Sequence, residues 1–403
     1  MAGLKYWVWL SERKGLTNRS KLLLLDYFGT PENIYYADED EYRLVSGLEP
    51  RQLALLADKS TDNADRILGA CSRLELRLLT MQDADYPVRL RNIFEPPCLL
   101  YVKGALPVID EEVAVAMVGT RRATPYGIEA AEKLAYGLSK QGALVVSGAA
   151  AGIDSAAHRG ALRAGGRTIA VLGSGIDVVY PAENEWLYRD IAASGALVSE
   201  YPPGTAAEAW HFPVRNRIIS GLSLAAVVVE APEKSGALIT ANTALEQGRD
   251  VFAVPGPIDA PMSRGCNRLI ADGAAALITD SWDVLREYEA MYPHKILGGH
   301  VELPRTLGYQ AREEQARARQ AAAEEKTALP GLDLAKNDAG LTDDQIVILR
   351  ALKGGALQVD DLIESTAIPT RRVLSALTML ELDGYVTQGG GKHFSLNVTL
   401  LEE

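Results

Sequence analysis

Seven short apolar, β-branched runs alternate with helix-length amphipathic segments between Val113 and Ile278. That rhythm predicts an α/β protein with a Rossmann-like, doubly wound parallel sheet. The runs are nearly continuous in apolar residues, as strands covered on both faces require. Two flanking patterns complete the prediction: a small helical domain before the sheet and a winged-helix domain after it.

Residues 1–80 read as helical, of the helix-hairpin-helix kind. Leu22–Leu25 with Tyr27 and Phe28 form an apolar cluster that Gly29-Thr30-Pro31 ends, and Leu44–Leu48 joins two helical patterns through Gly47. Such a unit can pack a small domain or meet a DNA backbone through its amides. Residues 81–283 hold the sheet. Its expected strands are Val113–Val118, Leu144–Ser147, Thr168–Leu172, Ala196–Ser199, Ala225–Glu230, Val251–Val254 and Ala275–Ile278. Helices such as Ile128–Gln141 and Glu185–Ser194 lie between them. Residues 284–340 lose the strand pattern, and Ala311–Lys326 lacks an apolar stripe, so this stretch reads as a linker. From 341 to 403, Thr342-Asp343-Asp344 caps a first helix over Ile346–Leu352, and Asp360–Glu364 starts a second. Arg371–Leu382 forms the third. Two strands then flank Gly389-Gly390-Gly391, which completes a winged-helix pattern.

The 403 residues carry a net charge of −12 with a pI near 5.1. The charge is −1 over residues 1–80, −5 over 81–280 and −6 over 281–403. A basic coat is excluded, so any anion site must be local. Three scattered cysteines form no Cys-x-x-Cys pair and suit a reducing compartment. The opening MAGLKYWVWLSERKG lacks a secretory h-region and cleavage site, and the most apolar run, Leu222–Val229, is far short of the ~20 residues of a membrane span. The expectation is a cytoplasmic protein without membrane insertion. Its five histidines show no metal-ligand spacing, and neither a metal nor a cofactor is expected.

Glycines and polar residues gather where the strands end. They are Gly119-Thr120-Arg121-Arg122, Ser147-Gly148, Gly173-Ser174-Gly175 and Lys234-Ser235-Gly236. Glycine lets backbone amides approach a phosphate, and Arg121 and Lys234 supply full charges. Four such loops on one edge predict phosphate binding, whereas tight turns alone would explain any one of them. Gly173-Ser174-Gly175 lacks a third glycine and follows the third strand, so no dinucleotide fingerprint is present, and no P-loop sequence occurs. Trp210-His211-Phe212-Pro213-Val214-Arg215-Asn216-Arg217 sets aromatics beside arginines, the pairing that holds single strands by stacking and charge. The alternative places the aromatics in the core and pairs Arg215 or Arg217 with a buried carboxylate such as Glu230. Asp154 and His158 share a helix face, either as cap and core residue or as a catalytic dyad. No Gly-x-Ser-x-Gly elbow surrounds Ser147 or Ser174.

These strings resemble the DNA-processing protein A (DprA, also called Smf) family. VGTRRATPYG at 118–127, SGAAAGIDSAAH at 147–158, HFPVRNRIISGLS at 211–223 and VVVEAPEKSGALITA at 227–241 carry the resemblance. It runs in order across nearly all of residues 83–280. The resemblance implies an extended Rossmann fold that binds single-stranded DNA, dimerises, and loads the RecA recombinase during natural transformation, without catalysis. It implies that Gly119, Thr120 and Arg121 hold a phosphate, and that Ser147, Gly148, Lys234, Ser235 and Gly236 line the same pocket. Phe212 would stack on a base, with Arg215, Asn216 and Arg217 following it. Ala151 departs from many relatives, which have arginine there. The competing enzyme reading is a Rossmann-like phosphoribohydrolase. Those enzymes resemble each other through Pro-Gly-Gly-x-Gly-Thr, which this chain lacks; it has Pro255-Gly256-Pro257.

Overall fold

Nine strands form one sheet: β1 (Arg77–Thr80), β2 (Leu99–Gly104), β3 (Ala114–Val118), β4 (Leu144–Ser147), β5 (Thr168–Leu172), β6 (Ala196–Ser199), β7 (Ala225–Val228), β8 (Asp250–Ala253) and β9 (Ala276–Leu277). Their order is β1-β2-β6-β5-β4-β3-β7-β8-β9. The computed structural model describes residues 2–298, 301, 331–334, 336–337, 339–389 and 393–401. The chain divides into two units, Met1–Arg312 and Glu313–Glu403.

β3 through β9 pair in parallel, as the near-continuous apolar runs predict. The sequence pattern misses β1 and β2. They pair antiparallel with each other, and β2 pairs antiparallel with β6. Both stand outside the strand–helix–strand rhythm that reveals the parallel strands, and β1 is four residues long. Residues 77–80, expected within the helical domain, therefore belong to the sheet.

The chain moves outward from β3 through β4 and β5 to β6, then returns across β3 to start the other half at β7. The order reverses between β3 and β7. In open α/β sheets a crevice forms at such a switch, outside the carboxyl ends of the strands.

Two apolar layers cover the sheet. On one side Val115, Met117, Val145 and Val227 pack against Leu134, Ala135 and Leu138 of the helix Pro125–Lys140. Val284, Leu285, Tyr288 and Ile296 are buried in this same layer, so the packed body continues past residue 283, where the strand pattern stops. Further along this same face the helices of residues 2–73 bury Trp7, Trp9, Leu24, Ile34 and Leu56 in one cluster with Ala170, Leu172 and Leu197 of the sheet. The opposite face, with Ala116, Val146 and Val228, is covered by Ile218 and Ile219 of the helix His211–Gly221. The predicted stop after Phe28 is present: Gly29 has φ +75°, and Thr30 caps a short helix opened by Pro31.

In the second unit the helices Asp343–Ala351, Val359–Thr366 and Thr370–Leu382 join a three-stranded sheet of Leu357–Gln358, His393–Leu396 and Val386–Gln388. Thr342 and Gln345 form a reciprocal capping box on the first helix. This is the winged-helix arrangement. Gly390, Gly391 and the Ala311–Lys326 piece lie outside the described residues.

Candidate nucleic-acid interface

A cleft of about 400 Å³ opens at the carboxyl ends of β3 and β7. The loop after β3 contributes Gly119, Thr120, Arg121 and Arg122, and the loop after β7 contributes Lys234, Ser235 and Gly236. Phe212, Arg215 and Asn216 of the helix His211–Gly221 close the third side. Residues quoted from three separate stretches of sequence thus meet in one place.

The loops are held by directed bonds. The Thr120 amide donates to the Glu230 carbonyl at 2.7 Å, which ties the β3 loop to the end of β7. The Glu230 carboxylate accepts from the Thr124 amide at 2.8 Å and its hydroxyl at 2.6 Å. Ser235 caps the helix Gly236–Glu246 by accepting from the Ala237 amide at 3.3 Å. The first-turn amides of that helix and its positive dipole end stand at the cleft beside exposed Lys234. Among the described residues no carboxylate pairs with Arg121, Arg122 or Lys234. Unlike the acidic body, the cleft keeps free positive charge.

Arg121 lies with its guanidinium carbon 4.4 Å from the centre of the Phe212 ring. Tyr180, missed as a neighbour by sequence reasoning, has its ring centre 5.5 Å from that of Phe212. Gly173 makes room for the phenyl: a Cβ there would come within 2.9 Å of Phe212 Cδ1. A cation, an aromatic face and helix amides are the parts that phosphate and base require.

Beneath the cleft lies a buried polar layer. Arg215 is only 3% exposed, and its Nη1 donates to the carbonyls of Gly148, at 2.9 Å, and Val171. Glycine at 148 leaves room for the guanidinium, since a Cβ there would stand 2.3 Å from that nitrogen and displace it. Asp154 accepts from the amides of Gly148 at 3.2 Å and Ala150 at 3.4 Å. Burial pushes its carboxyl above the usual carboxylate range, and the Arg215 charge pulls it back. Burial likewise lowers Arg215. This pair shapes the second loop from below.

Ser147 is fully buried and donates to the Met117 carbonyl at 2.6 Å, so it braces β4 against β3 and does not line the cleft. Arg217 also points elsewhere: it grips both oxygens of Glu200 at 2.7 and 2.8 Å, and Asn18 reaches the same carboxylate at 2.9 Å. An arginine of this segment does pair with a shielded carboxylate, but the carboxylate is Glu200, not Glu230. Asp154 and His158 form no dyad. His158 is buried and bonds Thr168 Oγ1 at 2.8 Å through Nδ1. Trp210 is 60% exposed rather than core. Among the described residues no cluster of metal-ligating side chains occurs.

Comparison with known proteins decides the family. The model of the DNA recombination-mediator protein A family matches residues 77–289, and that of the DprA winged-helix domain matches 333–392. The chain belongs to the DprA/Smf family. Protein Smf of Synechocystis is 35% identical over 96% of this chain and 98% of its own length. DprA of Streptococcus pneumoniae is 39% identical over 70% of this chain and 98% of its own. The X-ray structure of the pneumococcal DprA aligns with a TM-score of 0.62 at 38% identity, over 70% of this chain and 97% of that one. The DprA-matched region 77–289 starts at β1, the strand that the sequence pattern places in the helical domain. No helix among the described residues is long and apolar enough to cross a membrane.

Proposed function

We propose that this DprA/Smf protein captures single-stranded DNA in the β3/β7 cleft and delivers it to the RecA recombinase during natural transformation, in the cytoplasm and without covalent chemistry. The observation that carries the reading is the juxtaposition of unpaired Arg121 and Lys234 with the Phe212 face and the capped start of the helix Gly236–Glu246. Gly119, Thr120, Arg121, Lys234, Ser235 and Gly236 take the phosphate. Phe212 takes a base with Asn216 beside it. Gly148 and Arg215 hold the floor, while Ser147 and Arg217 brace the surrounding fold. A homodimer would set two such clefts on one strand and multiply their affinities.

The enzyme alternative finds little support in the carboxylates. Asp154 is the acid that lines the cleft among the described residues, and it is committed to two backbone amides. Glu230 is committed to Thr124.

A competition gel shift tests the binding. Single-stranded oligonucleotides of any sequence should compete strongly and duplex weakly. Equal competition by duplex would end this reading. Each of Arg121→Ala and Lys234→Ala should lower the salt slope of binding by about 0.7, the share of one phosphate on a single strand. The delivery step is measured separately, as a shorter lag in RecA filament growth on single strands. An unchanged lag removes the delivery and leaves the binding intact.

A further inference from the structure

The winged-helix unit raises its own question, because its third helix is the one that reads base edges in relatives of the helix-turn-helix class. The first turn of that helix carries two cations, Arg371 and Arg372. Arg372 is not free: Asp344 holds it through Nε and Nη2, both at 2.7 Å. The helix before it, Val359–Thr366, would cross the DNA backbone in a duplex complex, yet it opens with exposed Asp360 and Asp361. Residues 341–403 carry five Lys and Arg against nine Asp and Glu. Phosphate would meet like charge at the position where it needs a cation.

The outward face of the third helix is apolar instead. Leu374, Thr378 and Leu382 recur every fourth residue, so they form one row. Leu374 is 48% and Leu382 76% exposed, and Thr378 turns its hydroxyl back to the Leu374 carbonyl at 2.9 Å. The adjacent row, Ser375, Met379 and Asp383, lines a cleft of about 600 Å³ with Asp343 and Asp344. Met379 is itself 48% exposed. The surface is an aliphatic strip, and the cleft beside it holds Asp343 and Asp383 together with Asp344 and Arg372, which neutralise each other.

We infer that the third helix of the winged-helix unit docks an amphipathic helical segment of a partner protein, one that presents aliphatic side chains along one face and Lys or Arg beside them. Charge complementarity selects that occupant. The aliphatic strip supplies the anchor positions for a helix laid against it, and the surrounding carboxylates meet the partner's cations. Duplex DNA fits neither part.

The test uses the full chain and fluorescence anisotropy. The probe is a labelled synthetic peptide of about four helical turns, with leucine on one face and lysine on the other. A twin peptide with glutamate in place of lysine and a labelled duplex oligonucleotide are the other arms. The lysine peptide should bind and the glutamate twin should not. Leu374→Asp with Leu382→Asp should weaken the lysine peptide by about tenfold or more. Both positions are exposed, and the substitution adds negative charge, so general attraction of a cationic peptide would move the other way. Thr378→Lys is the milder variant should the double one fail to fold, and it should weaken the same peptide. Full binding of the lysine peptide to the folded variants overturns the proposal. So does a duplex affinity that falls about tenfold on Arg371→Glu, the result expected of a DNA reader.

Discussion

Arg121 and Arg372 both stand near the start of a helix, and the two units treat the charge in opposite ways. At the β3/β7 cleft Arg121 is exposed, rests on an aromatic ring and has no carboxylate partner among the described residues. In the winged helix Arg372 is neutralised by Asp344. Net charge does not separate them, because each of the segments 1–80, 81–280 and 281–403 is net negative. What separates them is whether a cation is left for a ligand. The cleft can keep its charge because buried polar groups beneath it, Arg215 and Asp154, do the structural bonding. The winged helix spends Arg372 on its own fold and leaves only exposed Arg371 beside it on the third helix.

The sharpest way to break this contrast is to remove the buried layer. Arg215→Met leaves Asp154 buried without its cation and strips the carbonyls of Gly148 and Val171 of a donor. Leaving a buried carbonyl without its donor costs about 1–3 kcal/mol each. Urea unfolding should show a loss of that size, with single-strand binding lost alongside. A variant that unfolds like the wild type would show that the layer does not hold the cleft.

The same layer should give the first unit a pH dependence. His158 is fully buried, and burial pulls its pKa down to about 3. In the unfolded chain it titrates near ~6.5. Below that pH the unfolded chain takes a proton that the folded chain refuses, so stability falls as pH drops, through the window from ~6.5 to about 3. From pH 7 to pH 5 the loss should be about 2 kcal/mol, measured by urea unfolding. Asp154, held above the carboxylate range, acts in the opposite sense. His158→Gln is therefore the control that isolates the histidine: its stability should lose this fall. An equal slope in the two proteins would refute the assignment.

Phe212 separates stacking from charge at the cleft itself. Phe212→Ala should weaken single-strand binding by about 1–3 kcal/mol with little change in salt slope. A lowered slope instead would mean that the ring serves mainly to position Arg121, which lies over it at 4.4 Å.

Much of this was legible in the sequence, for a physical reason. Parallel strands buried on both faces leave apolar runs, and the glycines at their ends mark where backbone must approach a ligand. Gly119, Arg121 and Lys234 could be placed on one edge from that alone. The roles of the arginines in Val214-Arg215-Asn216-Arg217 could not be assigned. Residues two apart on a helix face different ways, so one arginine turns under the cleft and the other toward Glu200. Which carboxylate waits there depends on β6 and on Asn18, far away in sequence. β2 escaped for a related reason, since an antiparallel strand joined across the sheet leaves no helix-spaced signature. Tyr180 gave no local sign of its place beside Phe212.

The smallest expected effect is the one that tests the other half of the contrast. Arg372 and Asp344 make two good bonds, but the arginine side chain is 65% exposed, and water and salt screen the pair. Such a pair contributes at most about 1 kcal/mol. Arg372→Ala should therefore shift the unfolding of the winged-helix unit by about 1 kcal/mol or less, and it should leave single-strand affinity at the cleft unchanged. Arg215 and Arg372 each bond to oxygen at similar distances, so a difference of several-fold in cost isolates burial as its cause. A large loss from Arg372→Ala would mean that exposure does not set the worth of these arginines, and the division between a cleft with free charge and a module with bound charge would fail.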